Sequence, residues 1–480
     1  MKKYEIDMCN GSIFPKILAF SLPLMLTGIL QLLFNAADII VIGKFAGEDS
    51  LAAIGSTTTI VNFFVNIFMG LSVGTNVVVS TAFGAKDYKK IHKTVQTSII
   101  ISLILGITVG ILGFIFSTPI LHLLKTPNNI IKKASTYLKI YFLGLPALMV
   151  YNYTASILRA FGDTKRPLYY LFLGGLINVA LNLFLTINLK MDVAGVAIAT
   201  VVSETFSMIL ILICIMRTNE CYKYDIKEFK IYIKELFDMI RIGLPAAVNS
   251  SLFSISNMII QSGVNSFGSV VVAGNSVSGS VEGFVYTSMD SVSQATMSFT
   301  GQNYGAKKYD RLNKILYDSI IAVTVIGLLM GFVCLGFSDY LFRIYTDSPA
   351  VMEAARVRAW VIMPTYFMCG IMNVFIGAIR GHGYTIIPTL ISAVGILVTR
   401  AVWIFTAFRK FHLIKILYIS WPISYIIVII AFTINYIIVH NIVIRKSKTQ
   451  NITELSNIQS NSTNKKIDKV ILDNVNLFGK

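Results

Sequence analysis

Residues 84–88 read Gly84-Ala85-Lys86-Asp87-Tyr88, and residues 305–309 read Gly305-Ala306-Lys307-Lys308-Tyr309. Working outward from this pair, the same offset of about 221 residues relates further matches. Leu22-Pro23 returns as Leu244-Pro245, and Pro127 as Pro349. Arg159, Gly162, Thr164 and Pro167 return as Arg380, Gly383, Thr385 and Pro388. Matches in one order and one register mark a duplicated chain.

Each copy carries six apolar runs. They cover 15–42, 51–82, 94–117, 135–158, 167–189 and 193–216 in the first, then 238–263, 270–300, 315–338, 357–379, 388–408 and 416–440 in the second. Runs of roughly 20 residues cross a hydrocarbon core of about 30 Å as helices. The chain has 480 residues, 55% hydrophobic and 14% charged, with a mean hydropathy of +0.70, too little charge to cover a soluble protein of this size. The expected fold is an all-α integral membrane protein with twelve transmembrane helices in two pseudo-symmetric six-helix bundles around a central cavity. Residues 1–14 form an N-terminal segment, 15–216 an N-lobe, 217–237 an amphipathic linker, 238–440 a C-lobe, and 441–480 a polar, disordered tail. The runs 51–82 and 270–300 are long and rich in Gly, Ser and Thr, and are expected to be tilted or locally unwound. Pro23, Pro146, Pro245 and Pro364 lie within spans and favour kinks.

The net charge of +17 does not point to nucleic acid, because Lys and Arg occupy short stretches between apolar runs. They crowd the side that carries both termini, with Lys2, Lys3, Lys16, Lys86, Lys89, Lys90, Lys93, Arg159, Arg380 and seven in the tail. The other side has fewer, among them Lys44, Lys125, Arg356 and Arg358. Positive-inside bias places both termini in the cytoplasm of a plasma-membrane protein. The opening residues, with Lys2, Lys3, Glu5 and Asp7, lack the apolar stretch of a signal peptide, so the first run is expected to be the first span. The five cysteines are scattered without metal spacing and read as small hydrophobes.

With six spans per copy, both copies insert the same way up. Their symmetry axis lies along the membrane normal, with a cleft between the halves. Two bundles around a cleft suit alternating access, which favours a carrier over a channel or scaffold.

Polar groups inside the spans mark where such a carrier would work. Thr27, Gln31, Asn35 and Asp38 follow at steps of four, four and three, on one face of the first span. An Asp facing lipid costs roughly 3 kcal/mol, so Asp38 faces protein or water, either as a structural hydrogen-bonding group or as a functional one. Asn178 and Asn182 share a face of the fifth span, as do Thr200 and Glu204 on the sixth. Alone they read as glue between helices. With Asp38 they supply the several oxygens a small hard cation needs, or a carboxylate that takes a proton. In the second half Ser250, Ser254, Asn257 and Gln261 share one face, and Asn275, Gly279, Glu282, Tyr286, Asp290 and Ser293 lie near another. Glu282, between small residues, is the acid of this half best suited to meet a cationic substrate or a proton. Asp290 is open to a solvated role, and Arg400 to neutralising one of these acids.

There is no P-loop, and His92, His122, His382, His412 and His440 are scattered. No nucleophile–base set stands out, so the chain does not read as an enzyme.

Over residues 12–440 the sequence resembles the multidrug and toxic compound extrusion (MATE) transporters. The likeness rests on Leu22-Pro23 with Asn35, Asp38 and Gly43; on Ala52-Ala53-Ile54-Gly55; and on Gly84-Ala85-Lys86. It rests also on Arg159-Ala160-Phe161-Gly162-Asp163-Thr164 with Pro167, and on Gly301-Gln302-Asn303-Tyr304-Gly305-Ala306. The resemblance implies an antiporter that exports small organic, often cationic, compounds in exchange for Na+ or H+, without a cofactor. It implies a monomer in the lipid bilayer, with no nucleic-acid partner. The family's cation or proton site maps onto Asp38, Asn152, Asn178, Asn182 and Thr200. Asn182 departs from the family, which commonly has a second Asp there, so the site is expected to carry one less negative charge. Gln31, Asn35, Asn257, Gln261, Glu282 and Tyr286 are the candidates for lining the substrate cavity. The alternative is a lipid-linked saccharide flippase of the same superfamily. Such a flippase needs a cationic cavity for phosphates, whereas Arg and Lys here fall largely in loops.

Overall fold

Gly47 and Gly268, one offset apart, open the second helix of each half with φ of 87° and 90°, a conformation that suits glycine because it has no Cβ. Lys86 and Lys307, at φ 58° and 56°, follow the same helices at their other ends. The duplication seen in sequence is thus written into the backbone turns.

The computed structural model describes residues 4–124 and 126–477, without the side chains of Thr59 and 446–477. Lys2, Lys3 and Lys125, counted above for orientation, lie outside the described residues, as does the end of the tail from 478. The first half comprises α1 (Phe14–Phe45), α2 (Glu48–Gly84), α3 (Tyr88–Leu123), α4 (Ile131–Ala160), α5 (Lys165–Leu183) and α6 (Asp192–Arg217). A wider π turn, Phe184–Asn188, prolongs α5. The second half comprises α7 (Ile233–Asn265), α8 (Ser269–Gly305), α9 (Asp310–Gly336), the short α10 (Ser338–Arg343), α11 (Pro349–Ile362) and α12 (Phe367–Gly381). It continues with α13 (Ile386–Ser392), α14 (Thr399–Trp403), α15 (Arg409–Phe411) and α16 (Ile414–Leu477). π turns at Ala393–Val398 and Ile404–Phe408 join α13 to α15 into one span.

Among the described residues, nine helices are long and apolar enough to cross a membrane, or ten with the bent pair α11 and α12. α7 and α8, of 33 and 37 residues, complete the twelve; Ser, Asn and Gly make them too polar for the same test. Both α2 and α8 are continuous, so neither is unwound as expected. The kink expected at Pro364 is present: the 3-10 turn Met363–Thr365 separates α11 from α12 at an angle of 47°. Pro23, Pro146 and Pro245 sit in unbroken helices. α11 starts at Pro349, ahead of the expected span 357–379, so Arg356, placed above outside the spans, lies on the same helix as Arg358.

The chain divides into two units, Met1–Phe432 and Thr433–Lys480. In the second, the tail expected to be disordered continues as backbone helix to Leu477; 441–477 contain no Gly or Pro to end it. The first unit holds everything that follows. Within it α1 packs on α8 and α2 on α7, so the halves meet through equivalent helix pairs.

The N-terminal segment before α1 ties both halves together at one end. Asn303 Nδ2 donates to Met8 O at 3.0 Å and Arg311 Nη2 to Gly11 O at 3.0 Å. Tyr222 OH donates to Glu5 Oε1 at 3.3 Å on the side of the first half. Hydrophobic packing around Ile99, Leu158, Phe161, Ile211 and Tyr222 supports the same end.

Candidate functional site

A cavity of about 520 Å³ runs between the halves. Most of its wall comes from α1, α2, α4, α5 and α6, and the rest chiefly from α8 and α12. Five charged side chains line it: Asp38, Glu204, Asp290, Arg159 and Arg380. They fall into two groups.

The first group stands on α1, α5 and α6, whose steps of four bring its side chains to one face of each helix. Asn182 Nδ2 donates to Asp38 Oδ1 at 2.6 Å, and Thr200 Oγ1 reaches Asp38 Oδ2 at 3.5 Å. Asn178 Nδ2 donates to Thr200 Oγ1 at 3.4 Å. Thr186 Oγ1 donates to Asn182 Oδ1 at 3.2 Å, which turns the amide of Asn182 toward Asp38. Asn178 Oδ1 is buried without a hydrogen-bond partner. A buried oxygen left unpaired is costly, and Asn178, Thr200 and Asp38, linked in one hydrogen-bond chain, bring together amide, hydroxyl and carboxylate oxygens, a set of ligands that fits a hard cation. Asn152 lines the same cavity, with Nδ2 donating to Leu148 O at 2.9 Å.

Glu204 lines the cavity with Asp38 and feels its charge. The wall thus holds a second carboxyl group, on the helix next to the one that carries Asn182. Among the described residues, neither acid has a basic partner. No cluster of three or more His, Cys, Asp or Glu suited to a metal occurs among the described residues.

The second group joins α4, α8 and α12. Arg159, 9% exposed, donates from Nη1 to Gln294 Oε1 at 3.0 Å, and Gln294 Nε2 donates to Asp290 Oδ2 at 2.8 Å. Arg380 Nε and Nη2 are buried without partners, as is Arg159 Nε. Both arginines stand at helix ends and were counted above as loop charges. The signal that could have found them was the repeat itself, which pairs Arg159 with Arg380.

Of the other candidates, Gln31, Asn35 and Tyr286 line the cavity. Glu282, Asn257 and Gln261 do not; Glu282 and Gln261 belong to a separate polar cluster of the second half, and Asn257 is exposed on α7. Glu282 is held by Arg358 through two contacts of 2.7 Å, from Nε to Oε1 and from Nη2 to Oε2, and accepts from Ser278 Oγ at 2.9 Å. Asn275 bridges this pair to Gln261, donating from Nδ2 to Gln261 Oε1 at 2.9 Å. Asn257 Oδ1 accepts from Arg400 Nη1 at 3.0 Å. Arg400, left open above to neutralising Glu282 or Asp290, lies over the Trp421 ring at 4.8 Å, a cation–π contact. Of the two acids left open to it, Glu282 is paired with Arg358.

Twelve helices in two equivalent halves around a polar cavity define a membrane transporter. Residues 23–184 and 245–406 each match the MatE family model, one match per half, and the chain belongs to that family of multidrug efflux transporters. It is 29% identical over 385 residues to the probable multidrug resistance protein YpnP of Bacillus subtilis, covering 80% of this chain and 85% of that one. It is 26% identical over 389 residues to the probable multidrug resistance protein YoeA of the same organism, covering 79% and 84%. Among solved structures, an outward-facing multidrug resistance MATE transporter of the MOP superfamily superposes with a TM-score of 0.86 at 20% identity, covering 93% of this chain and all of that one.

Proposed function

We propose that this protein is a secondary active antiporter that exports small organic cations in exchange for Na+ or H+ by alternating access. It works as a monomer in the plasma membrane with both termini in the cytoplasm. The observation that carries this reading is the pair Asp38 and Glu204, two carboxylates in one cavity with no basic partner among the described residues. Like charges in a cavity of low dielectric repel, and either a coupling cation, a proton or a cationic substrate relieves that repulsion. Ion and substrate then compete for the same negative charge. Competition of this kind lets entry of one drive release of the other as the two bundles rock. The unpartnered Asn178 Oδ1 supports the coordination of Na+ in addition to protonation.

The test is transport in proteoliposomes with Na+ and pH gradients imposed separately, using the cationic dye tetramethylrhodamine methyl ester. Dye movement should follow one imposed gradient and vanish in Asp38→Asn. Movement that ignores both gradients, or persists at the wild-type rate in a folded Asp38→Asn protein, overturns the reading.

Arg159 and Arg380 in the cavity lend some support to the flippase alternative. However, a lipid-linked pyrophosphate would also meet Asp38, Glu204 and Asp290, three carboxylates against two guanidinium groups. The repulsion favours efflux.

A further inference from the structure

Arg159 and Arg380 are repeat mates, one from each half, and both face the cavity. Arg159 spends one nitrogen on Gln294, and the only acid in this group, Asp290, accepts from the same Gln294. Arg159 Nε and Arg380 Nε and Nη2 are left buried and unpaired. Asp290 is near enough for its charge to act on both arginines, so the group sets two guanidinium charges against one carboxylate, and the desolvated nitrogens that remain without a hydrogen bond attract a further anion. Two planar forks of donors suit the two oxygens of a carboxylate.

From this geometry we infer that Arg159 and Arg380 form an anion-binding subsite for the carboxylate of a zwitterionic organic substrate, whose cationic end lies toward Asp38 and Glu204. The inference rests on the efflux reading for the cationic end and adds the residues that hold the anionic end. The cavity has the reach for one drug-sized molecule: Asn152 and Arg159, both in its wall, are two turns apart on α4, about 10 Å by helical rise. Because one arginine comes from each half, a bound carboxylate bridges the two bundles. The chemistry differs from that of a simple organic cation, which gains nothing from the basic end and meets repulsion there.

The purified full-length protein in phosphatidylcholine nanodiscs is titrated, with no ion gradient, against two dyes by fluorescence polarisation. Tetramethylrhodamine carries a carboxylate opposite its cationic ring system, and its methyl ester lacks only that charge. The wild type should bind the acid about tenfold more tightly than the ester, the worth of one charge-assisted hydrogen-bond pair. Arg380→Gln and Arg159→Gln should each bring that ratio to about one, while Arg380→Lys keeps most of it. A wild-type ratio near one, no binding of the acid, or an unchanged ratio in both Gln variants with wild-type unfolding midpoints would overturn the subsite. Should the Gln variants unfold, the wild-type ratio and Arg380→Lys still decide. Failure of the efflux reading shows separately, as gradient-independent movement of the ester, because the binding ratio requires no gradient.

Discussion

Gly84 at the end of α2 and Gly305 at the end of α8 are repeat mates that face each other reciprocally across the two halves. A Cβ on Gly84 would fall 1.9 Å from Gln302 O, and one on Gly305 would fall 1.9 Å from Thr81 O. Thr81 and Gln302 are themselves one offset apart, so the contact is the same interaction made twice about a pseudo-two-fold axis. Backbone touches backbone there, on the end of the cavity tied together by the N-terminal segment. The end is closed because neither position carries a side chain.

Opening this closure is therefore a matter of one methyl group. Gly84→Ala or Gly305→Ala should destabilise the closed arrangement by about 1–3 kcal/mol, the usual cost of overpacking. Cys9, whose Sγ lies 3.8 Å from Gln302 Oε1, reports the change. Its reaction with a maleimide, followed by mass spectrometry of the Cys9 peptide, should accelerate about tenfold. An unaccelerated reaction in both variants would contradict a closure made by these glycines.

Glu204 supplies the second carboxylate of the acidic group. Glu204→Gln should leave the protein folded and lower the apparent affinity for the coupling cation about tenfold, the effect of about 1.4 kcal/mol of lost attraction. Initial rates of dye efflux against the concentration of the driving ion measure this. If Asp38→Asn abolishes coupling while Glu204→Gln changes nothing, Glu204 lies outside the site.

Glu282 is expected to matter for stability and not for coupling. Its side chain and that of Arg358 are 6% and 11% exposed, and removing one member of a buried ion pair costs about 3–5 kcal/mol. Glu282→Gln should lower the thermal unfolding midpoint in detergent sharply, and Glu282→Met with Arg358→Met should recover most of it. A stable Glu282→Gln protein without efflux would return this acid to the transport cycle.

Asp163, in the loop between α4 and α5, is fully buried. Its Oδ1 accepts from the backbone N–H of Lys165 and Arg166, each at 3.1 Å. Burial raises its carboxyl from 3.8 to about 6 against these hydrogen bonds and the ion pair of Arg166 Nε with Oδ2 at 3.0 Å. A carboxyl raised by folding contributes stability that is complete below its ordinary value of 3.8 and is lost as pH climbs through about 6. Asp163→Asn keeps the accepting oxygen and loses the titration. Its unfolding midpoint should rise relative to wild type between about pH 4 and pH 6.5, and a flat difference over that window would show that burial does not govern this group.

The duplication and the spans could be read from residue order alone, because apolar length and turn residues act locally. The stripe ending at Asp38 and its companions Asn178, Asn182 and Thr200 could be read too: helical spacing places residues on a face of their own helix. Spacing does not say which helix that face meets. The pairing of Glu282 with Arg358, the meeting of Glu204 with Asp38, and the turning of Arg159 and Arg380 into the cavity all join residues far apart in the chain. Those neighbours are set by how whole helices pack, and only the tertiary structure could decide whether a charge at a helix end looks outward to water or inward to a substrate.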